Sequence, residues 1–454
     1  MKAIPFERLP NTFKHAIEIA QRLGLDYLWI DSLCIIQDDE DDWQKESALM
    51  SSVYGGSTIT IAASSARDSS QGCFLKLPNF SGGLRARITD GGRQRVQDFR
   101  SEEVYSLSTF ETHLGTRAWA LQEKILPPRT IHFSDRGAFW ECRTTIASEY
   151  LPDGFPNQLV SPLVRRKGKF EWLWPQIVQL YSAANLTFGK DKLPALSGIA
   201  RLGYNETSDQ YLAGLWRGQI EEQLCWRHWG SKSTVKRPPW RAPTWSWASV
   251  DGRVSWHMRQ DGILETGYAR VLDASTTKYG HDPFGQVTSG VVRLACSTMA
   301  AGYLVNPKKS GKLEAEEGAV IVLHAGNEEQ EFPIQIDCLD DGYQEDNGPI
   351  HLLPLLGGKT GNGKWEEGKD SLHELIIEGI VLRATGVTKG EFSRIGSFNF
   401  YKNRIRIFEI EDDKAYEPFL QVLEEHGTAT AEAACAEITS NPKHLDERYV
   451  ITII

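Results

Sequence analysis

Residues 23–64 read LGLDYLWIDSLCIIQDDEDDWQKESALMSSVYGGSTITIAAS, and their pattern decides the N-terminal fold. Tyr27-Leu28-Trp29-Ile30 is a short apolar run closed by the polar pair Asp31-Ser32, which predicts a strand. The acidic run Asp38 to Asp42 supplies carboxylates for the positive end of a helix dipole, and that helix continues through WQKESALMSSVY to Gly55-Gly56. Thr58 to Ala62 (TITIA) is a second β-rich run. Strand, helix and strand joined by short links predict a right-handed crossover and a parallel sheet.

Working outward, residues 11–23 predict an amphipathic helix. Asn11 is its expected cap, Phe13, Ala16, Ile17 and Ala20 fall at helical spacing, and Gly24 stops it. Residues 64–115 are rich in Gly, Ser and Arg and read as loops and short strands, with Arg85, Arg87, Arg93, Arg95 and Arg100 on a solvated, Gly-turned hairpin or else forming an anion site. A third helix is expected through RAWALQEKIL, capped by Thr116 and stopped by Pro127-Pro128. Arg129 to Phe133 and Ala138 to Cys142 read as a hairpin.

From about residue 165 to 230 the pattern is helical, including SDQYLAGLWRGQIEEQLCWRHW. Beyond 254 it alternates, with strands at ARVLDAS, GVVRLAC, GAVIVLHA and LIIEGIVLRAT, a closing helix AYEPFLQVLEEHG and a last strand RYVITII. The Trp-rich RAPTWSWASVDG reads as a packed seam between domains. Three parts are therefore expected: an α/β domain over 1–145, a helical and Trp-rich connector over 146–253, and a β-rich domain over 254–454.

A chain of 454 residues exceeds one ordinary core, and 41% hydrophobic with 24% charged residues is a globular composition. The formal charge of −10 argues against a nucleic-acid binder. The seven cysteines are scattered, without a CxxC pair, so neither a zinc site nor a disulfide framework is expected. The N-terminal residues carry no apolar signal core, and no apolar run approaches the ~20 residues of a membrane span. The expectation is a cytoplasmic protein with free thiols. Gly358-Lys359-Thr360 lacks the first Gly of a phosphate loop, the acidic run lacks calcium-loop spacing, and no Gly-x-Ser-x-Gly elbow is present.

Residues 23–64 resemble the central signature of the heterokaryon-incompatibility (HET) domain of fungi. RAWALQEKILPPRTIHFSDRGAFWEC resembles its second signature through the Arg-Ala-Trp, Gln-Glu and Trp-Glu-Cys elements, and DKLPALSGIA, QYLAGLW, RAPTWSWASVDG and EGIVLRATG resemble later parts of such proteins. Family members commonly begin with a further strand bearing a Ser-Tyr-x-Trp-Gly type motif, and none precedes Pro10, so a domain lacking that strand is expected. The resemblance implies an effector of allorecognition and programmed cell death. It also implies remote kinship with TIR domains, some of which cleave NAD through a Glu a few residues after a Trp, the arrangement of Trp43 and Glu46 here. NAD is then a substrate and no cofactor is required. Two other roles fit the same residues: an enzyme of small-molecule secondary metabolism, and a non-catalytic interaction module. The partner is a small molecule or a protein, and an oligomer is open.

The candidate catalytic residues are Glu46 and Asp31. Glu46 shares a helical stripe with Trp43, Met50 and Val53, and a carboxylate on such a stripe needs a partner or a task. It acts as an acid or base, or as a structural ion-pair member. Asp31 and Ser32 follow a strand end, where open sheets bind ligands, or else cap a turn. Trp43, Arg117, Gln122, Glu123 and Arg129 complete the candidate binding set, Arg117 to Arg129 forming a polar cleft wall or an internal ion-pair network. Cys34 with His132 as base is the weaker nucleophile reading beside a buried structural thiol.

Overall fold

Asp39 shows how the acidic run starts its helix: its Oδ1 accepts the backbone N–H groups of Asp41 and Asp42, both at 3.0 Å. The computed structural model describes residues 4–74, 83–90, 93–100, 103–155, 169–229, 235–256, 266–305, 319–325, 328–343, 348–360, 373–405, 410–439 and 448–454. The chain divides into two compact units, Met1–Glu206 with Gly280–Asp282, and Thr207–Tyr279 with Pro283–Ile454. The stretch 146–253 is thus shared between them at Glu206. Among the described residues no helix is long and apolar enough to cross a membrane.

In the first unit, α1 is Asn11–Arg22, α2 Asp31–Cys34, α3 Glu40–Gly56 and β1 Thr60–Ala62. The hairpin β2 (Gly83–Asp90) and β3 (Arg93–Arg100) pairs antiparallel, with Arg87 and Arg95 exposed as the charge run requires. Then follow α4 (Val104–Thr109), α5 (Ala118–Ile125), β4 (Arg129–Ser134), β5 (Gly137–Cys142), β6 (Ile146–Ser148), α6 (Phe170–Ser182) and α7 (Pro194–Thr207). Two expected caps differ. Asn11 lies inside α1 and donates to the Ser70 carbonyl, and Thr116 donates to the His113 carbonyl of the preceding turn.

The sheet order is β1-β4-β5-β6. Only β1 and β4 run parallel; β4-β5 and β5-β6 are antiparallel, so the sheet is mixed rather than the parallel one expected. The cause is local, because the tight turn between Ser134 and Gly137 sends β5 straight back along β4. The strand expected at Tyr27–Ile30 makes no ladder. The segment runs extended into α2, yet Tyr27, Leu28 and Trp29 make no backbone hydrogen bond to another described residue. Among the described residues β1 likewise pairs only with β4.

A buried polar network ties this unit together around Glu141, an inward position of β5 between apolar neighbours. Its Oε2 accepts the Tyr105 hydroxyl at 2.5 Å, and lies 3.4 Å from Lys124 Nζ and 3.3 Å from His132 Nε2. Lys124 also donates to the Thr109 carbonyl and stands 3.6 Å over the Phe110 ring. Ser64 Oγ meets His132 Nδ1 at 3.1 Å. Burial alone would raise the Glu141 carboxyl, but Lys124, His132 and Tyr105 outweigh it and hold it down at about 2.

In the second unit we label β7 Ala269–Lys278, β8 Val287–Cys296, β9 Ala300–Leu304, β10 Ala319–Ala325, β11 Glu328–Ile336, β12 Ile350–Thr360, β13 His373–Ala384, β14 Glu391–Ile405 and β15 Tyr449–Ile453. The pairings β9-β10-β11-β14-β13-β12 return to β9 and close a six-stranded antiparallel barrel. Phe332, Ile377, Phe398 and Phe400 fill it, and Phe419, Val422 and Leu423 of the closing helix α8 (Tyr416–Val422) and its continuation pack on them. That continuation is a π turn, Leu423–Gly427, leading into α9 (Thr428–Ala434).

Beside the barrel, Arg394 is fully buried, paired with Asp337 at 2.9 and 3.2 Å, bonded to the carbonyls of Leu224 and Trp226, and stacked 3.4 Å from the Trp226 ring. Trp245 and Trp247 are wholly buried within this unit: Trp226 donates to the Trp245 carbonyl and Trp247 to that of Gly214. The Trp-rich segment is therefore a seam inside one unit rather than between domains. The helix expected across SDQYLAGLWRGQ is instead a tight hairpin, Tyr211–Leu212 against Leu215–Trp216. Ala213 and Gly214 turn it with φ of 46° and 100°, and a Cβ on Gly214 would lie 2.7 Å from the Trp247 indole nitrogen.

All seven cysteines are free, and Cys34 alone is exposed. Replacing Glu141 by Gln strands Lys124 and is expected to cost about 3–5 kcal/mol in urea denaturation, the usual weight of breaking a buried pair. The pH dependence carries the same sign. A carboxyl held at about 2 against an ordinary 4.5 contributes stability that is complete above 4.5 and lost as pH falls towards 2. Glu141→Gln with parental stability and an unchanged acid midpoint would remove Glu141 as the anchor.

Candidate functional site

The unpaired segment at Tyr27–Ile30 and the edge strand β1 border a cleft of about 810 Å³, closed by α1 and the last turn of α3. Its walls are apolar, with Phe13, Leu28, Ile30, Val53, Ile59 and Ile61 among them. Asp26 and several hydroxyls are on its wall, and among its polar side chains Asp31, Tyr54, Arg117 and Glu123 stand together.

Each is positioned by the local fold. Asp31 is the first residue of α2, and its Oδ1 accepts the Ser32 N–H at 2.7 Å. Tyr54 sits in the last turn of α3, its ring edge-on to Trp29 with centroids 5.6 Å apart. Arg117 precedes α5, whose start is pinned by the bonds Asn185 N to Thr116 O and Ala118 N to Asn185 O. Glu123 lies on α5 one residue before Lys124, so the helix turns one carboxyl to the cleft and one ammonium to the Glu141 network.

The electrostatics follow from this crowding. Burial and the neighbouring Asp31 charge push the Glu123 carboxyl up to about 6, although Arg117 and a hydrogen bond from Tyr54 act against them. Tyr54 is pushed far above its ordinary value by burial, Glu123 and Asp31, so it stays a donor. A carboxyl poised near 6, a fixed hydroxyl donor and an arginine in a mostly apolar cleft can move a proton and hold an anion.

The remaining sequence candidates lie elsewhere. Glu46 does not line the cleft; its side chain lies 3.8 Å from Lys45 and is 22% exposed. The stripe it shares points mainly at neighbouring helices: Trp43 packs edge-on to Trp119 at 6.2 Å, and Met50 is buried beside Gln122, whose Nε2 lies 3.9 Å from its sulfur. Only Val53 of that stripe reaches the cleft. Ser32 is exposed outside it, and Arg129 binds the Thr58 carbonyl at 3.2 Å. His132 engages Ser64 and Glu141 with its two nitrogens, so it is committed away from Cys34. Tyr54 and the Glu141 network escaped the sequence reading. The signal for Glu141 was the alternation of β5, which puts it on the inward face with Gly137 and Phe139.

Comparison with known proteins gives one match: the family described as Heterokaryon incompatibility protein (HET) covers residues 2–123, a segment that contains every cleft residue. The N-terminal α/β unit with its acid-lined cleft therefore carries a HET domain. The match spans about a quarter of the chain, and membership of the HET-domain family holds for residues 2–123 alone. No curated protein and no solved structure matches it.

The cleft geometry makes a direct expectation for titration. In ¹³C-detected NMR, the Glu123 carboxyl should titrate near 6, shift down in Asp31→Asn and shift up in Arg117→Ala. A Glu123 that titrates in the ordinary range and ignores both substitutions would show that these side chains do not meet.

Proposed function

We propose that this HET-domain protein is an effector of fungal allorecognition and programmed cell death, and that its cleft hydrolyses the N-glycosidic bond of a nucleotide, NAD being the substrate. The observation that carries the reading is Glu123, a carboxyl near 6 set beside Asp31, Tyr54 and Arg117 in an apolar cleft. In such a hydrolysis the ribosyl C1′–N bond breaks and its electron pair leaves on nicotinamide. Positive charge then spreads over C1′ and the ring oxygen, where ionised Glu123 stabilises it. Water attacks C1′ and its proton passes to Glu123. Arg117 suits the pyrophosphate, Tyr54 and Asp31 suit ribose hydroxyls, and Trp29 offers a ring face to the base. The remote kinship with TIR domains supports the reaction class by analogy alone.

The assay is NAD consumption by the full chain, followed by induced death on expression in a fungal host. Glu123→Gln should lower the rate by about a hundredfold or more with an unchanged melting temperature. Because the ionised form works, the rate should rise about tenfold per pH unit below 6 and level off above it. Glu46→Gln runs beside it: a loss there and none at Glu123 reassigns the site to the α3 carboxyl. A parental chain that leaves NAD intact sinks the hydrolase reading.

A second reading rests on the backbone. Tyr27–Trp29 and the outer edge of β1 both border the cleft without strand partners among the described residues, which is the geometry of strand addition by an extended peptide. Thr60→Pro removes a backbone donor from β1. If death is lost in Thr60→Pro while NAD turnover persists, the cleft works as an interaction module.

A further inference from the structure

A second cavity, of about 880 Å³, lies in the C-terminal unit between the barrel wall and α9. Its floor is set by strand alternation. Ile350 and Leu352 point into the barrel core, so His351 between them points to the opposite face, where it lines the cavity. The His351 ring stands edge-on to Phe392 at 5.2 Å, and Phe392 forms the floor beside Ala300 and Val422. The opposite wall is α9, which contributes the small side chains Ala429, Ala433 and Ala434 and so leaves the space open.

Three further features point to a ligand. His351 is 91% buried by residue, its Nδ1 is enclosed without a hydrogen-bond partner, and burial keeps the ring below its ordinary value and hence neutral. The π turn Leu423–Gly427 presents His426 to the cavity. Gly427 allows that turn to sit against Thr298, whose Oγ1 would lie 1.8 Å from a Cβ there, and its carbonyl accepts from Met299 at 3.0 Å. Lys389 and His324 complete the rim, and among the described residues no carboxylate lines the cavity. In a chain of net charge −10, the formal charge on the cavity rim is the Lys389 ammonium, and His426, whose Nε2 lies 3.7 Å from Glu425 Oε2, adds a ring nitrogen beside it, so the rim favours an anion.

We infer that this cavity is a binding site for a small, mainly apolar acid, its hydrocarbon or aromatic body over Phe392 and the alanines and its carboxylate held by Lys389 and His426. His351 supplies the uncommitted hydrogen-bonding group at the floor. A volume near 880 Å³ suits a compact organic molecule rather than a peptide chain.

The probes are 2-naphthoate and its neutral counterpart 2-naphthalenemethanol, titrated into the full chain by calorimetry. Histidine ¹⁵N spectra locate the ligand through His351 and His426. The acid should bind saturably and at least about tenfold tighter than the alcohol, and Lys389→Glu should weaken the acid by a similar factor without touching the alcohol. Ala434→Trp should fill the cavity and abolish both. Lys389 lies on an exposed loop, so its variant decides the matter if Ala434→Trp fails to fold. Equal affinity for acid and alcohol, or an indifferent Lys389→Glu, overturns the ligand class. No saturable binding to about 1 mM, or binding that leaves both histidines unmoved, overturns the site.

Discussion

The N-terminal unit depends on one buried carboxylate. Glu141 gathers a hydroxyl from α4, an ammonium from α5 and an imidazole from β4 onto a single oxygen of β5. Without it, the Lys124 ammonium would be buried with no counter-charge on it and the Tyr105 hydroxyl and His132 Nε2 would each lose a partner, which is far costlier than losing one hydrogen bond between exposed groups. Burial wins over pairing at Lys124, whose ammonium is pushed below its ordinary value. The network is therefore a constraint on arrangement more than a store of stability: it fixes where α5 can lie on the sheet.

That constraint reaches the cleft through the shortest link available, a peptide bond. Lys124 faces inward and Glu123, its predecessor, faces the cleft, while the bonds to Asn185 fix the start of the same helix at Arg117. A helix held at both ends can keep a carboxyl in a crowded, poorly solvated place beside Asp31, where an unanchored helix would move aside. The poise of Glu123 is thus a product of packing two shells away from it.

How much of this was legible follows from what each signal measures. Helical periodicity gave α1, because an amphipathic pattern needs only a nearby core, and the acidic run with its Gly-Gly stop gave α3. Alternation gave β10 and β13 of the barrel, with β7, β8 and β15 beside it, but not β9, β11, β12 or β14. Tyr27–Ile30 has strand composition, but a strand exists through a partner's hydrogen bonds, which composition cannot supply. Tyr211, Leu212, Leu215 and Trp216 carry helix spacing, and only the left-handed backbone at Ala213 and Gly214 makes them a hairpin. Glu46 stood out because its sequence neighbours are apolar, whereas Glu123 is unusual because of Asp31 and Tyr54, which come from distant positions in the chain.

The place of β15 in the second unit bears on how the protein is made. Residues 449–453 lie between β8 and β14, paired antiparallel with one and parallel with the other, and Ile454 accepts from Thr244 at the Trp-rich seam. The last strand in chain order is an interior one. During synthesis the segment 1–206 can collapse as it emerges from the ribosome, but the second sheet waits with two open flanks until its final residues leave the exit tunnel. For that interval β8 and β14 each keep a strand edge that β15 will later cover.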